Sequence, residues 1–186
     1  MINHVQIIIR TIPERADFLR YLTDRVPDAI ICEDEKRSGT HTFLKALKMS
    51  ADLPTIHLED DVLLTNDFEA KANEFIALHP ESVIQFFSMR GDDIKIGTRY
   101  ESGAKFMMNQ CFYLPSGMAS VLLQFYPTWT DRQTHVNGYD MMMAACFKKL
   151  KIKYWVHCPS LVNHRIGVSS LNPKWPRKRQ AKTFIE

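Results

Sequence analysis

Pro54-Thr55-Ile56-His57-Leu58-Glu59-Asp60-Asp61-Val62 is the stretch that decides the fold. Ile56 and Leu58 flank His57 in a short apolar run that reads as a buried strand, and the run ends in three consecutive carboxylates. The chain then turns polar at Thr65-Asn66-Asp67, and a helix is expected to follow. In open α/β sheets, ligands bind beyond the C-terminal ends of the strands, where these acids would lie. Three adjacent anions repel one another and require a compensating cation. A hard divalent metal carrying a phosphate answers that need. The plainer alternative is a solvated acidic turn that starts the next helix.

Upstream, Val5-Gln6-Ile7-Ile8-Ile9 is β-branched and nearly continuous, the pattern of a strand buried on both faces. It runs into Arg10-Thr11-Ile12-Pro13-Glu14-Arg15, where Pro13 suits a helix start, and Phe18, Leu19, Leu22 and Val26 then recur at helical spacing. Ala29-Ile30-Ile31-Cys32 reads as a second strand ending in Glu33-Asp34, and Thr42 to Met49 as a helix. Beyond the acidic triplet, the pattern predicts a helix over Phe68 to Leu78 and a strand over Ser82 to Phe87. Residues 88–105 read as a loop or small hairpin. Lys105 to Leu114 reads as a strand, Met118 to Tyr126 and Tyr139 to Leu150 as helices, Lys153 to His157 as a late strand, and Pro159 to Ser170 as a loop. Strands alternating with helices argue for an α/β fold: a mostly parallel sheet flanked by helices on both faces, in a single domain.

Length and composition agree. The chain has 186 residues, of which 45% are hydrophobic and 24% charged, enough for one domain with a real core. A net charge of +3 does not by itself argue for nucleic-acid binding. Lys174, Arg177, Lys178, Arg179 and Lys182 crowd residues 174–186 into a basic C-terminal tail. That tail reads first as solvated, and otherwise as a grip on an anionic partner. Cys32, Cys111, Cys146 and Cys158 form no CxxC pair and lie in apolar contexts, as buried free thiols do. No signal peptide and no run long enough to span a bilayer is visible, so a cytoplasmic location is expected.

Polar groups gather at the expected C-terminal strand ends: Arg10 and Thr11, then Glu33 and Asp34, then Glu59, Asp60 and Asp61. Arg10 or Arg15 could hold a phosphate oxygen through the guanidinium fork, against ordinary surface charge at a helix start. Asp34 could accept hydrogen bonds from a ribose or base, against a plain turn role. Asp61, aided by Glu59 or Asp60, could hold the metal. In Val136-Asn137-Gly138-Tyr139-Asp140, Asp140 falls in the first turn of a helix, where peptide dipoles favour the carboxylate form. A carboxylate so placed can take a proton from an attacking hydroxyl. His164, in a small-residue loop beyond a strand, could reach back to a metal, and Ser169 and Ser170 would suit phosphate contact. Met141, Met142 and Met143 read as core and cleft filling.

With these pieces in order, the chain resembles glycosyltransferases of the GT-A fold, in particular small bacterial and phage types related to lipooligosaccharide glycosyltransferases. His57-Leu58-Glu59-Asp60-Asp61-Val62 matches that class's acidic metal motif, and Asn137-Gly138-Tyr139-Asp140 its Gly-x-Asp before a helix. Pro159-Ser160-Leu161-Val162-Asn163-His164, with Ile166-Gly167 and Ser169-Ser170, matches its closing segment. Arg10 to Arg15 matches its opening turn. The likeness runs from Val5 to about Ser170.

The resemblance implies a GT-A-like, Rossmann-like domain over 1–173, with a nucleotide-sugar half over about 1–90 and an acceptor half over about 91–173. It implies Mn²⁺ or Mg²⁺ held by Asp61 and His164, with Asp140 as catalytic base. Arg10, Thr11, Arg15, Asp34, Glu59, Asp60 and Ser169 would lie on the nucleotide sugar. The donor would be a nucleoside diphosphate sugar, and the acceptor a hydroxyl on a glycan, lipid or modified DNA base. The short length fits an acceptor side that is reduced, or completed by a second copy in a homo-oligomer. Two alternatives stay open: a non-catalytic glycan- or nucleic-acid-binding module of the same fold, and a nucleotidyltransferase. The second is disfavoured because Arg10 to Arg15 lacks the glycines of a phosphate loop.

Overall fold

A computed structural model describes residues 5–135, 137–166 and 179–186. Seven strands form the main sheet: β1 (Gln6–Thr11), β2 (Ile30–Glu33), β3 (Thr55–Glu59), β5 (Val83–Gln85), β6 (Arg99–Ser102), β7 (Cys111–Leu114) and β8 (Lys153–Val156). Their order is β2-β1-β3-β7-β5-β8-β6, and β4 (Val62–Leu64) with β9 (Val162–His164) makes a separate two-stranded ribbon. β2, β1 and β3 run parallel, as do β5 and β8, whereas β7 is antiparallel to both its neighbours and β6 to β8. Only β7 and β6 therefore oppose the common direction. The protein has the expected α/β architecture, a Rossmann-like single layer of sheet covered on both faces.

The period-two alternation of β3 explains the two faces. Ile56 and Leu58 join Ile9, Ile84 and Tyr113 in a core against α1 (Ala16–Thr23) and α3 (Phe68–Leu78). His57 and its face-mates Phe112 and Leu114 turn the other way, toward α2 (Gly39–Met49), α5 (Met118–Phe125) and α6 (Tyr139–Leu150). Met142 and Met143 are wholly buried in that second core, while Met141 is exposed. Cys32, Cys111 and Cys146 are buried free thiols, and Cys158 is half-buried. Among the described residues, no helix is long and apolar enough to cross a membrane.

Five segments depart from expectation. Residues 88–105 form α4 (Asp93–Ile96) and the edge strand β6, which pairs with β8 far along the chain instead of closing a local hairpin. Lys105 to Leu114 is a strand only from Cys111, because a 3-10 turn spans Gly103–Lys105 and Met108 sits at φ 66°. Val62 to Leu64, given no element by the sequence, and Val162 to His164, inside the expected 159–170 loop, pair with each other: Val62 faces His164 and Leu64 faces Val162. Of the tail expected as solvated, the described residues 179–186 hydrogen-bond back to the fold. The Ala181 N–H donates to Asn163 Oδ1 at 2.9 Å, and the Thr65 hydroxyl to the Ile185 carbonyl at 2.6 Å. Ser169 and the tail residues Lys174, Trp175, Arg177 and Lys178 lie outside the described residues.

Candidate functional site

The C-terminal ends of β1, β2 and β3 open into a cavity of about 530 Å³. Every described residue that the sequence marked as functional lines it: Arg10, Thr11, Arg15, Asp34, Glu59, Asp60, Asp61, Asp140 and His164. The β4–β9 ribbon explains how Asp61 and His164 meet. Pairing Val62 with His164 brings that histidine beside Asp61, and the Arg165 N–H donates to the Asp61 carbonyl at 2.8 Å.

The three acids of the triplet have different surroundings. Asp60 is saturated: its Oδ2 accepts from the Thr11 hydroxyl at 2.9 Å and the Ile12 N–H at 3.3 Å, and its Oδ1 from Arg15 at 2.5 Å. Burial raises its pKa, partly offset by Arg15. Asp61 shares its Oδ2 between Arg15 at 2.9 Å and His164 Nε2 at 3.4 Å, while its Oδ1 is buried without a partner. Burial opposes its charged form, but His164 and Arg15 outweigh it and hold the carboxyl at about 2. Glu59 accepts a hydrogen bond from the Tyr139 hydroxyl. Burial, and then the Asp61 charge, push the Glu59 carboxyl above its ordinary value.

His164 donates from Nδ1 to the Arg165 carbonyl at 2.6 Å, which turns Nε2 toward Asp61. Burial lowers its pKa, yet Asp61 more than compensates and the net shift is upward. Arg10 is enclosed. Its guanidinium carbon lies 4.9 Å from the Tyr139 ring centre, 5.5 Å from Phe43 and 5.7 Å from Phe112, and it donates to the Asn109 carbonyl at 2.9 Å. Cation–π packing of this kind holds the charge in a partly dry site. Asp34 closes an Asx turn, its Oδ1 accepting the Lys36 N–H at 2.9 Å. Asp140 is half-buried in the first turn of α6, with its Oδ1 accepting the Met141 N–H at 2.9 Å.

Asn137, within the motif before α6, and two residues that carried no motif signal, Asn109 and Gln110, complete the wall. Asn137 accepts the Gly39 N–H at 3.1 Å, tying the start of α2 to the start of α6. Asn109 and Gln110 precede β7. The polar pair could have been found once β7 was known to run antiparallel, because its N-terminal end then meets the ligand edge. Eight carboxyl groups and four guanidinium groups among the described residues line the cavity, in a chain of net charge +3. The site is thus far more acidic than the molecule. Among the described residues, no cluster of three or more His, Cys, Asp or Glu side chains could hold a metal ion.

No protein-family model matches the chain, and no curated protein matches it. Among solved structures it is similar to A197 from STIV, with a TM-score of 0.51 over 89% of this chain and 87% of that one, at 12% sequence identity. A likeness at that identity shows the fold, and it agrees with the Rossmann-like architecture described above.

Proposed function

We propose that the protein is a metal-dependent glycosyltransferase of the GT-A type, moving a sugar from a nucleoside diphosphate sugar to a hydroxyl acceptor. One observation carries the reading: Asp61 and His164, far apart in sequence, meet at 3.4 Å on the wall of a cavity at the C-terminal strand ends. Such cavities in α/β sheets are where nucleotides bind.

The residues fit Mn²⁺ or Mg²⁺. Asp61 Oδ1 is a buried oxygen without a partner, and His164 presents Nε2 beside Oδ2 of the same carboxylate. Asp61 and His164 would hold the ion. Two protein ligands, with phosphate oxygens and water supplying the rest, is how Mg²⁺-like ions are commonly carried to phosphates. When bound, the ion supplies neutralising charge for the leaving diphosphate.

The chain's own residues do the remainder. Asp60 braces the β1 turn and Arg15, and Asp34 lies where a ribose would be held. Asp140, on the cavity wall at the start of α6, takes the acceptor's proton in an inverting reaction. The acidic wall supports the cation requirement, since a diphosphate entering beside eight carboxyl groups is repelled without one.

Thermal shift with UDP, GDP and ADP, each with and without Mn²⁺, tests this. A matching nucleotide at about 100 times its Kd stabilises by about 2.7 kcal/mol. For a chain of this size that is roughly 5–10 °C. The rise should require Mn²⁺ and vanish in Asp61→Asn, whereas Asp140→Asn should keep it and lose turnover. A rise that survives chelator and Asp61→Asn would refute the metal-dependent reading. That result would favour a second one, a metal-free binding module, to which the two Arg15 ion pairs lend support by partly offsetting Asp60 and Asp61 internally.

A further inference from the structure

Gln110 is 3% exposed, lines the cavity, and has an Oε1 with no hydrogen-bond partner. Buried polar atoms in folded proteins are paired in the large majority of cases. Here three of the unpaired ones, on Arg10, Asp61 and Gln110, belong to the same cavity wall.

The sheet register explains the placement of Gln110. Arg10 pairs with Glu59 across β1 and β3, and the Glu59 N–H donates to the Gln110 carbonyl at 2.9 Å across β3 and β7. Phe112, two residues on, stacks on His57, two residues before Glu59. Arg10 and Glu59 share the face toward α6, and Gln110, one residue before β7 and bonded through its carbonyl to Glu59, extends this polar row along the cavity wall. The Tyr139 hydroxyl donates to Oε1 of Glu59, and Glu59 and Gln110 both line the cavity.

We propose that Gln110, together with Glu59, reads hydroxyl groups of the transferred sugar ring and so sets which donor sugar the site accepts. The inference rests on the glycosyltransferase reading and names the sugar subsite within it. A hydroxyl both donates and accepts, so it matches the Gln110 amide in either orientation, while the Glu59 carboxylate accepts from a neighbouring hydroxyl. The row lies one strand residue from the Asp60–Asp61 turn, and the sugar is bonded directly to the diphosphate that Asp61 would serve. The nucleoside end of the cavity, at Asp34, is on the far side of β1, across the sheet from β7.

Titration calorimetry with Mn²⁺ present tests the assignment. The probes are UDP, GDP and ADP and their glucose, galactose and mannose conjugates. The variants are Gln110→Met, close in volume, and Gln110→Asn, which keeps a shorter amide. Gln110→Met should leave the Kd of the bare diphosphate within about twofold and weaken the preferred sugar conjugate by about 3- to 15-fold, the loss expected for one neutral hydrogen bond. It should also narrow the preference between conjugates that differ at one hydroxyl. Gln110→Asn should fall between wild type and Gln110→Met.

Equal weakening of the diphosphate and its conjugate, or no change in either, overturns the assignment while leaving the glycosyltransferase reading standing. Wild-type protein that binds none of the probes overturns both.

Discussion

His57 gives the sharpest physical test of the core beneath the site. It is fully buried, stacks on Phe112 at 5.1 Å and meets Phe43 edge-on at 6.0 Å, and neither ring nitrogen has a hydrogen-bond partner. Burial, and then the nearby Arg10 charge, push its pKa well below 6.5, so the folded protein keeps this imidazole neutral in mild acid. The unfolded chain takes up the proton near pH about 6.5 and the native state does not, so stability falls as pH drops through that window. At about 1.36 kcal/mol per unit, His57 should cost the native state up to about 2 kcal/mol between pH 7 and pH 5.

His57→Leu removes this linkage. At pH 7 it also relieves two unpaired nitrogens at about 1–3 kcal/mol each, less about 0.5–1.5 kcal/mol of lost ring stacking. The variant should therefore be at least as stable as wild type at neutral pH. Urea unfolding of both proteins at pH 7 and pH 5 isolates the effect, because every other titrating group is common to the pair. The stability difference should widen by up to about 2 kcal/mol in favour of His57→Leu at the lower pH. Parallel pH profiles would show that the histidine protonates inside the fold, and the account of a dry, unpaired ring would be wrong.

Two further substitutions test the site and its support. Arg15→Ala strands the buried carboxylates of Asp60 and Asp61, whose side chains are 4% and 10% exposed, and should cost about 3–5 kcal/mol. Mn²⁺ should then raise the melting temperature more in the variant than in wild type, and a variant as stable as wild type would mean that the paired acids are not strained. Gly103→Ala would place a Cβ 2.3 Å from the Ile152 carbonyl oxygen and 2.4 Å from Phe147 Cβ. Neither atom can move without shifting α6 or its C-terminal turn, so unfolding should show a loss of about 3 kcal/mol; an unchanged denaturation midpoint would contradict the packing of α6 on this turn.

Local patterning made the first half of the chain legible. The β-branched run of β1, the proline after it and the apolar spacing of α3 each specify their element without help from distant residues. Because parallel strands put their C-terminal ends at one edge, the alternation of strands and helices was enough to group Arg10, Asp34 and the acidic triplet. The second half resisted because its strands are short and paired at long range. β4 and β9 have three residues each and become strands only through each other. β6 lies in a polar segment and is specified by β8. Gln110 was illegible for the same reason, since its position depends on the direction of β7, which nothing within Asn109-Gln110-Cys111 encodes. Arg10 was legible as a cation at the right edge, but its aromatic enclosure depends on α2 and α6 packing on that face.

The acidic triplet divides its labour according to what each carboxylate has left to offer. Asp60 has spent both oxygens on the β1 turn and Arg15, and gains nothing from a ligand that must displace them. Glu59 has one oxygen held by Tyr139 and faces the polar row, which suits it to hydroxyl recognition better than to metal. Asp61 alone combines an unpaired buried oxygen, a neighbouring imidazole and a carboxyl kept ionised at about 2. Arg15 partly offsets that charge in the resting protein, yet one guanidinium cannot also neutralise an entering diphosphate. Under the proposed glycosyltransferase reading, a donor arriving with its own divalent cation would do so, and metal and nucleotide are then expected to bind together and each weakly alone.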